Sequence, residues 1–391
     1  MPMIHCPDCD QVNAISKSGI IRGKQRYYCK NCKSYFTLPG KEKIPTGGNS
    51  KKHMATIVDI AKALNISKST VSRALHEHGD INPQTREAVL KMARELDYQP
   101  NQLAQSLVNS KTNTIGIIVP EFMTYFFPTV IIGAQEVAAA AGYNVIICQS
   151  QESLTTEIAN ANVLLSSRVD GVLISMTKET KKFEHFKAFE RYGIPVVFFN
   201  RVCEEMDTSK VLVNDYEGAY KAVEHLILSG YKNIAHIGGP PVLRITYNRL
   251  NGYMDALKKY KLPVKKDMIV YSNLSVKAAI QCSEKLLSRK QRPDAVFCVN
   301  DPTAIQLMLY AKGKGIKIPE ELGVVGFSND PMASVIEPSL TTVEQPVADM
   351  GRAAMRILLD AVKKGVNDFI PIRLSLQTSL IVRQSSVKKY H

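Results

Sequence analysis

The chain has 391 residues, with 50 Lys and Arg against 36 Asp and Glu and a hydrophobic share of 45%, enough apolar material for two or three packed domains. No apolar run reaches the ~18 residues of a membrane span, and the N-terminus lacks the charged-then-apolar pattern of a secretory leader, so a cytoplasmic protein with no membrane partner is expected. The charge is uneven: residues 1–53 carry a net +7 of the total +14, which favours a polyanion, nucleic acid above all, as a partner.

The first element is the stretch HCPDCDQVNAISKSGIIRGKQRYYCKNC, in which Cys6/Cys9 and Cys29/Cys32 form two C-x2-C pairs 19 residues apart. In a reducing compartment such pairs bind metal more often than they form structural disulfides. The spacing predicts a small zinc ribbon over residues 1–40, with Cys6, Cys9, Cys29 and Cys32 filling all four positions of a structural Zn²⁺ site. Tyr27, Tyr28, Tyr35 and Phe36 could cover the metal, and His5 would be surplus to the shell. On CPDC and GKQRYYCKNCKSYF the segment resembles the N-terminal ribbon of certain insertion-element transposases, which implies help with DNA contact. Docking a protein is the alternative. Residues 41–53, carrying Gly, Pro, Ser and Lys with almost nothing to bury, read as a linker.

Residues 54–99 carry three amphipathic patterns. Ile57, Ile60, Ala61 and Leu64 share the face of a first helix. Asn65 falls in a turn that needs a left-handed residue, and Ser67 is placed to N-cap a second helix with Val71, Ala74 and Leu75 inward. Asn82-Pro83 opens a third, as cap and first residue, with Ala88, Val89, Met92, Ala93 and Leu96 inward. The spacing predicts a helix-turn-helix whose second helix presents Lys68, Ser69, Ser72 and Arg73, residue types suited to base edges and phosphates.

The stretches TIVDIAKALNISKSTVSRAL and INPQTREAVLKMARELDYQPNQLAQSL resemble the DNA-binding headpiece of the lactose-repressor family, and the resemblance continues to the C-terminus. It implies that Lys68, Ser69 and Arg73 read bases, while Ser67, Thr70, Ser72 and Asn101 meet phosphate. Residues 100–111 would be the hinge, with Ala104 and Leu107 entering the minor groove and Leu107 wedging a base step open. A headpiece contacts only a half-site, so a homodimer on double-stranded operator DNA is expected.

From Thr114 onward, apolar stretches such as TIGIIVP, VDGVLISM, PVVFFN, NIAHIGG, DAVFCVN and LGVVGFS alternate with helical patterns. That alternation predicts an α/β region of parallel sheets covered by helices, and the resemblance to the lactose-repressor family implies a core of two doubly wound parallel-sheet subdomains, similar to periplasmic binding proteins. The core should span 112–391, with 112–211 plus 346–367 in one subdomain and 212–341 plus 370–385 in the other. The family resemblance implies a small-molecule effector in the cleft, a sugar or sugar derivative, with a purine as the alternative. Phe126, Phe127, Asn200, Arg249, Asn300, Asp301 and Ser328 are its expected contacts, although Asp301 could equally be the cap of the following helix. Ser328 stands where many relatives carry an aspartate, and a hydroxyl cannot grip a diol as a carboxylate does. Neither a nucleophile motif nor a phosphate loop occurs, so no enzymatic activity is expected.

Overall fold

The computed structural model describes residues 4–10, 12–21, 24–38, 54–75, 81–99 and 111–388. The linker, nearly all of the hinge, and with it Asn101, Ala104 and Leu107, lie outside these residues. The chain divides into two units, with the boundary at Asn101 and Gln102.

In the first unit, residues Ile15–Ile21 (β1), Lys24–Cys29 (β2) and Tyr35–Thr37 (β3) form an antiparallel sheet in the order β1-β2-β3. The aromatics pair across β2 and β3, Tyr27 with Phe36 at 5.8 Å and Tyr28 with Tyr35 at 4.7 Å between ring centroids. Among the described residues of this sheet and its turns only Cys6 and Cys29 are buried.

The headpiece follows as Ile57–Leu64 (α1), Lys68–Leu75 (α2) and Pro83–Glu95 (α3). Its punctuation is chemical. Asp59 accepts from the Thr56 N–H at 2.9 Å, closing a capping box. Asn65 ends α1 at φ 52°. The Thr70 N–H donates to Ser67 Oγ at 3.0 Å, so Ser67 caps α2 as its position predicts. Asn82 takes the Gln84 N–H at 2.9 Å, with Pro83 at the first helical position. Ile60, Ala61, Val71, Ala74 and Val89 make the core, with Met92, Ala93, Ile81 and Tyr98 around it. Two residues depart from expectation: Ala88 and Leu96 are exposed. A three-helix headpiece covers only a narrow stripe of α3, and Val89, Met92 and Ala93 fill it.

The second unit holds two six-stranded sheets. The first is ordered β14-β8-β7-β6-β4-β5, from Arg373–Leu376 (β14), Ser209–Val213 (β8), Val196–Phe199 (β7), Gly171–Ile174 (β6), Thr114–Val119 (β4) and Asn144–Gln149 (β5), all parallel. Helices Phe126–Ala140 (α4) and Val347–Lys364 (α12) contribute to the core cluster on one face, and Leu154–Ser166 (α5) and Glu184–Arg191 (α6) to the other. The second sheet is ordered β10-β9-β11-β12-β13-β15, from Ile269–Tyr271 (β10), Ile234–Gly238 (β9), Ala295–Cys298 (β11), Gly323–Ser328 (β12), Thr341–Glu344 (β13) and Ser379–Ile381 (β15). Here only the β13–β15 pair is antiparallel. Asp215–Leu228 (α7) and Arg244–Lys259 (α8) cover one face, and Val276–Leu287 (α9), Asp301–Gly313 (α10) and the short Met332–Val335 (α11) the other. The alternation predicts these helix-covered parallel sheets, and the doubly wound pair is the one the family resemblance implies.

The subdomain boundaries shift from those expected. Residues 373–376, expected in the second subdomain, form β14 in the first, parallel to β8 with Arg373 opposite Lys210. The last crossing therefore lies at 377–378 rather than near 367–370. β14 is a four-residue edge strand with no buried side chain, so its apolar pattern is faint, yet it gives β8 a partner on its outer edge. Where α4 and α12 cross, the backbones touch: a Cβ on Gly133 would stand 2.1 Å from the Ala348 carbonyl oxygen, and one on Gly351 would stand 1.9 Å from that of Val130.

Candidate functional site

Three sites emerge from this scaffold. The first is α2. Ser67, Lys68, Ser69 and Arg73 are exposed, and Thr70 and Ser72 are half-buried. The Ser67 hydroxyl lies 2.7 Å from that of Ser69 and 2.8 Å from that of Thr70. The buried face of α2 is carried by Val71 and Ala74, so its N-terminal turn offers a hydroxyl-rich, cationic surface to solvent.

The second site is the four-cysteine cluster. The Sγ atoms of Cys6, Cys9, Cys29 and Cys32 all lie within 4.8 Å of one another. Cys6 stands 3.5 Å from Cys32 and Cys9 stands 3.6 Å from Cys29. The Ser34 hydroxyl, 3.0 Å from Cys32, helps lower that thiol to about 6, towards the thiolate form metals take. His5 is engaged elsewhere, 3.1 Å from Asp10. The remaining cysteines are dispersed, and Cys203, Cys282 and Cys298 are buried, with burial pushing their thiols up.

The third site is a cavity of about 320 Å³ between the two subdomains. It opens at the carboxyl ends of the parallel strands, the usual ligand position in such sheets. Residues after β4, β5, β6 and β7 contribute Glu121, Glu152, Lys178, Asn200 and Arg201, and residues at the ends of β10 to β13 contribute Asn273, Asn300, Ser328 and Gln345. Phe126 and Phe127 open α4 against the cavity, their rings edge to face at 5.1 Å.

Both arginines here are held in place. Arg249 is 4% exposed. Its Nε donates to Asp215 Oδ1 at 2.8 Å, Nη2 lies 2.7 Å from the same oxygen, and Nη1 donates to the Val299 carbonyl. Its guanidinium carbon sits 3.6 Å from the centre of the Phe327 ring. Across the cleft, Arg201 Nη1 donates to both oxygens of Glu152 at 2.8 and 2.9 Å. Two buried polar atoms on lining residues have no hydrogen-bond partner among the described residues: Arg201 Nε, a donor, and Gln345 Oε1, an acceptor. The Gln345 amide nitrogen donates to Ser328 Oγ at 2.9 Å.

Of the expected effector residues, Phe126, Phe127, Asn200, Arg249, Asn300 and Ser328 line this one cavity. Asp301 does not. Asn300 is the cap of α10, accepting from the Thr303 N–H at 3.1 Å, so Asp301 is not the cap either. Its fully buried carboxylate takes the Thr342 hydroxyl at 2.6 Å and the Asp330 N–H at 2.7 Å, tying α10 to the strand ends beyond it. Burial raises this carboxyl to about 6. Sequence reasoning did not name Arg201, Glu152 and Gln345. Arg201 follows Asn200 at a strand's carboxyl end, and that position was the available signal.

A second cavity of about 360 Å³ shares Lys178, Asn200, Arg201 and Ile245 with the first and extends towards Glu204 and Arg244. Glu204 is gripped from both subdomains: Arg373 donates to its two oxygens at 2.8 and 2.9 Å, and Arg244 lies 3.2 Å away.

Residues 56–101 match the family model described as bacterial regulatory proteins, lacI family, and residues 223–386 match a periplasmic binding protein-like domain. The chain is 31% identical over 320 residues to catabolite control protein A of Priestia megaterium, covering 82% of this chain and 96% of that one. It is 32% identical over 333 residues to the ribose operon repressor of Halalkalibacterium halodurans, covering 85% and 97%. To the transcriptional repressor PurR of Vibrio atlanticus it is 33% identical over 311 residues, covering 79% and 92%. Its fold is similar to the lac repressor dimer bound to operator and the anti-inducer ONPF, with TM-score 0.76 at 23% identity over 86% of this chain and 100% of that one. It is also similar to the regulator CelR in its cellobiose complex, with TM-score 0.66 at 27% identity over 85% and 99%. The chain belongs to the lacI family of bacterial regulatory proteins: it is a DNA-binding repressor with an effector-binding core, not an enzyme, and its four-cysteine ribbon precedes the family's headpiece.

Proposed function

We propose that this repressor binds a near-palindromic operator as a homodimer, with α2 in the major groove, and that a neutral sugar or sugar derivative in the cleft sets its operator affinity. Lys68, Ser69 and Arg73 read bases, Ser67, Thr70, Ser72 and Asn101 hold phosphate, and Ala104 and Leu107 serve the minor groove. Arg249, Asn200, Asn300 and Ser328 meet effector hydroxyls against the Phe126 and Phe127 wall.

The observation that carries the sugar reading is the pairing of Arg201 Nε and Gln345 Oε1, a buried donor and a buried acceptor without partners, on the walls of one cavity. Each hydroxyl of a polyol is at once donor and acceptor and can serve both. The acidic and basic lining residues balance in number, with Glu121, Glu152 and Asp330 against Lys178, Arg201 and Arg249, which suits an uncharged ligand. The aromatic wall would also take a planar purine.

The test has two parts. Selection from random duplexes with the full chain should return inverted repeats. A thermal-shift screen over sugars, sugar acids and purines should then find a neutral sugar that raises Tm and shifts operator affinity by 10-fold or so, a coupling typical of allosteric pairs. A response confined to purines, or to anionic acids, would overturn the sugar reading while leaving the operator reading intact.

A further inference from the structure

We propose that Cys6, Cys9, Cys29 and Cys32 bind one Zn²⁺ as thiolates, and that this ion, in place of a hydrophobic core, folds the ribbon of residues 4–38. The inference is independent of the operator and effector readings.

The geometry fits the metal. At a Zn–S distance near 2.3 Å, the edge of a sulfur tetrahedron is about 3.8 Å. Cys6 and Cys32 stand at 3.5 Å, Cys9 and Cys29 at 3.6 Å, and all four Sγ atoms fall within 4.8 Å. Both of these pairs join one knuckle to the other, as ligands of one shared ion do. The two knuckles are also built alike. The residue after the second cysteine of each, Asp10 and Lys33, is left-handed, at φ 56° and 58°. Neither is glycine, so each conformation costs free energy that something else must supply.

A hydrophobic core cannot supply it. Cys6 and Cys29 are the only buried residues among those described here. Ile20 is 72% exposed, and Ile21, Tyr35 and Leu38 are exposed as well. A three-stranded sheet of this size, without buried hydrocarbon, does not repay the ordering of its chain. Metal binding does so in small thiolate domains, where binding free energy is folding free energy.

The donor set selects the ion. Four sulfurs with no carboxylate or imidazole among them favour zinc or iron, and with all four positions supplied by protein the site is structural. Binding breaks S–H bonds and forms Zn–S bonds. The thiol protons pass to solvent, nothing is oxidised or reduced, and the completed centre carries a charge of −2.

The test uses the full chain, purified reduced and without added chelator. Elemental analysis should find about one zinc per chain, and thiol titration of the denatured protein should count every cysteine as reduced. Cys29→Ser should lower the zinc content at least 10-fold, whereas Cys148→Ser, outside the cluster, should retain it. Because Cys29→Ser could simply misfold, a second measurement uses the unaltered protein. Stripping it with a strong chelator should open the ribbon to limited proteolysis while the α/β core resists, and added Zn²⁺ should restore protection. Cobalt substituted for zinc should give the visible bands of tetrahedral thiolate coordination. A reduced chain that takes up no zinc would overturn the proposal. So would stoichiometric iron with its visible colour, or two disulfides in the protein as isolated.

Discussion

Arg249 and Asp301 show how a buried charge can serve either a ligand or the fold. Arg249 faces the cavity but rests on Asp215, itself buried. Arg249→Ala would strand that carboxylate in the core, at a cost of about 3–5 kcal/mol. We expect a large drop in the urea midpoint, partly recovered by adding Asp215→Asn; no recovery would show that the guanidinium acts through packing on Phe327 alone. Burial raises the Asp301 carboxyl from its ordinary 3.8 to about 6. Its extra proton affinity stabilises the fold fully below 3.8 and is lost as pH rises through about 6. His236, buried between Tyr253 and Phe297 and lowered to about 4 by that burial, contributes the opposite slope over the same range. Comparing Asp301→Asn with the parent cancels the histidine. The variant should gain on the parent by roughly 2–3 kcal/mol between pH 4 and pH 6.5, and parallel urea-midpoint profiles would refute the raised carboxyl. The sequence motif around Asp301 was visible, but its partners Thr342 and Asp330 are distant in the chain, so its inward aim was not.

Helix caps and core strands were legible because their causes are local. Asn65, Ser67 and Asn82-Pro83 punctuate the headpiece where their chemistry requires, and β4, β6, β7, β9, β11 and β12 announce themselves as buried apolar runs. β5 and β14 were faint because neither has a buried residue. Nor does a hydrophobic pattern reveal that α4 and α12 meet backbone to backbone. That contact makes glycine necessary within helices, where alanine normally gains about 1 kcal/mol. Gly351→Ala should lower stability by at least about 2 kcal/mol, because the obstacle is the Val130 carbonyl rather than a yielding side chain. Gly313→Ala, where a Cβ meets nothing within 4 Å, should be neutral or stabilising. Equal effects in thermal melts would remove the close-approach explanation.

Over the whole chain, charge and topology divide the labour. Residues 1–53 carry a formal +7, which becomes about +5 if four thiolates hold one Zn²⁺. If the ribbon and linker touch phosphates beside the operator, deleting residues 1–50 should reduce the salt slope of operator binding by roughly 1–4. An unchanged slope in a mobility-shift series would assign the ribbon to a protein partner instead. The order of the modules was legible in the sequence because each has its own style of composition. The cleft was legible only through family resemblance, since its walls come from eight strand ends scattered over more than 200 residues.

The position of β14 has a consequence for how the protein is made. The first subdomain begins at β4, yet one of its faces is covered by α12 and its open edge is closed by residues 373–376. A ribosome therefore delivers five strands of that sheet long before the pieces that finish it. Throughout synthesis of the second subdomain, the nascent first subdomain must hold an apolar face covered only in part by α4, and a bare β8 edge, in waiting. A message cut short by even a few dozen codons would leave two incomplete halves rather than one sound subdomain and one damaged one.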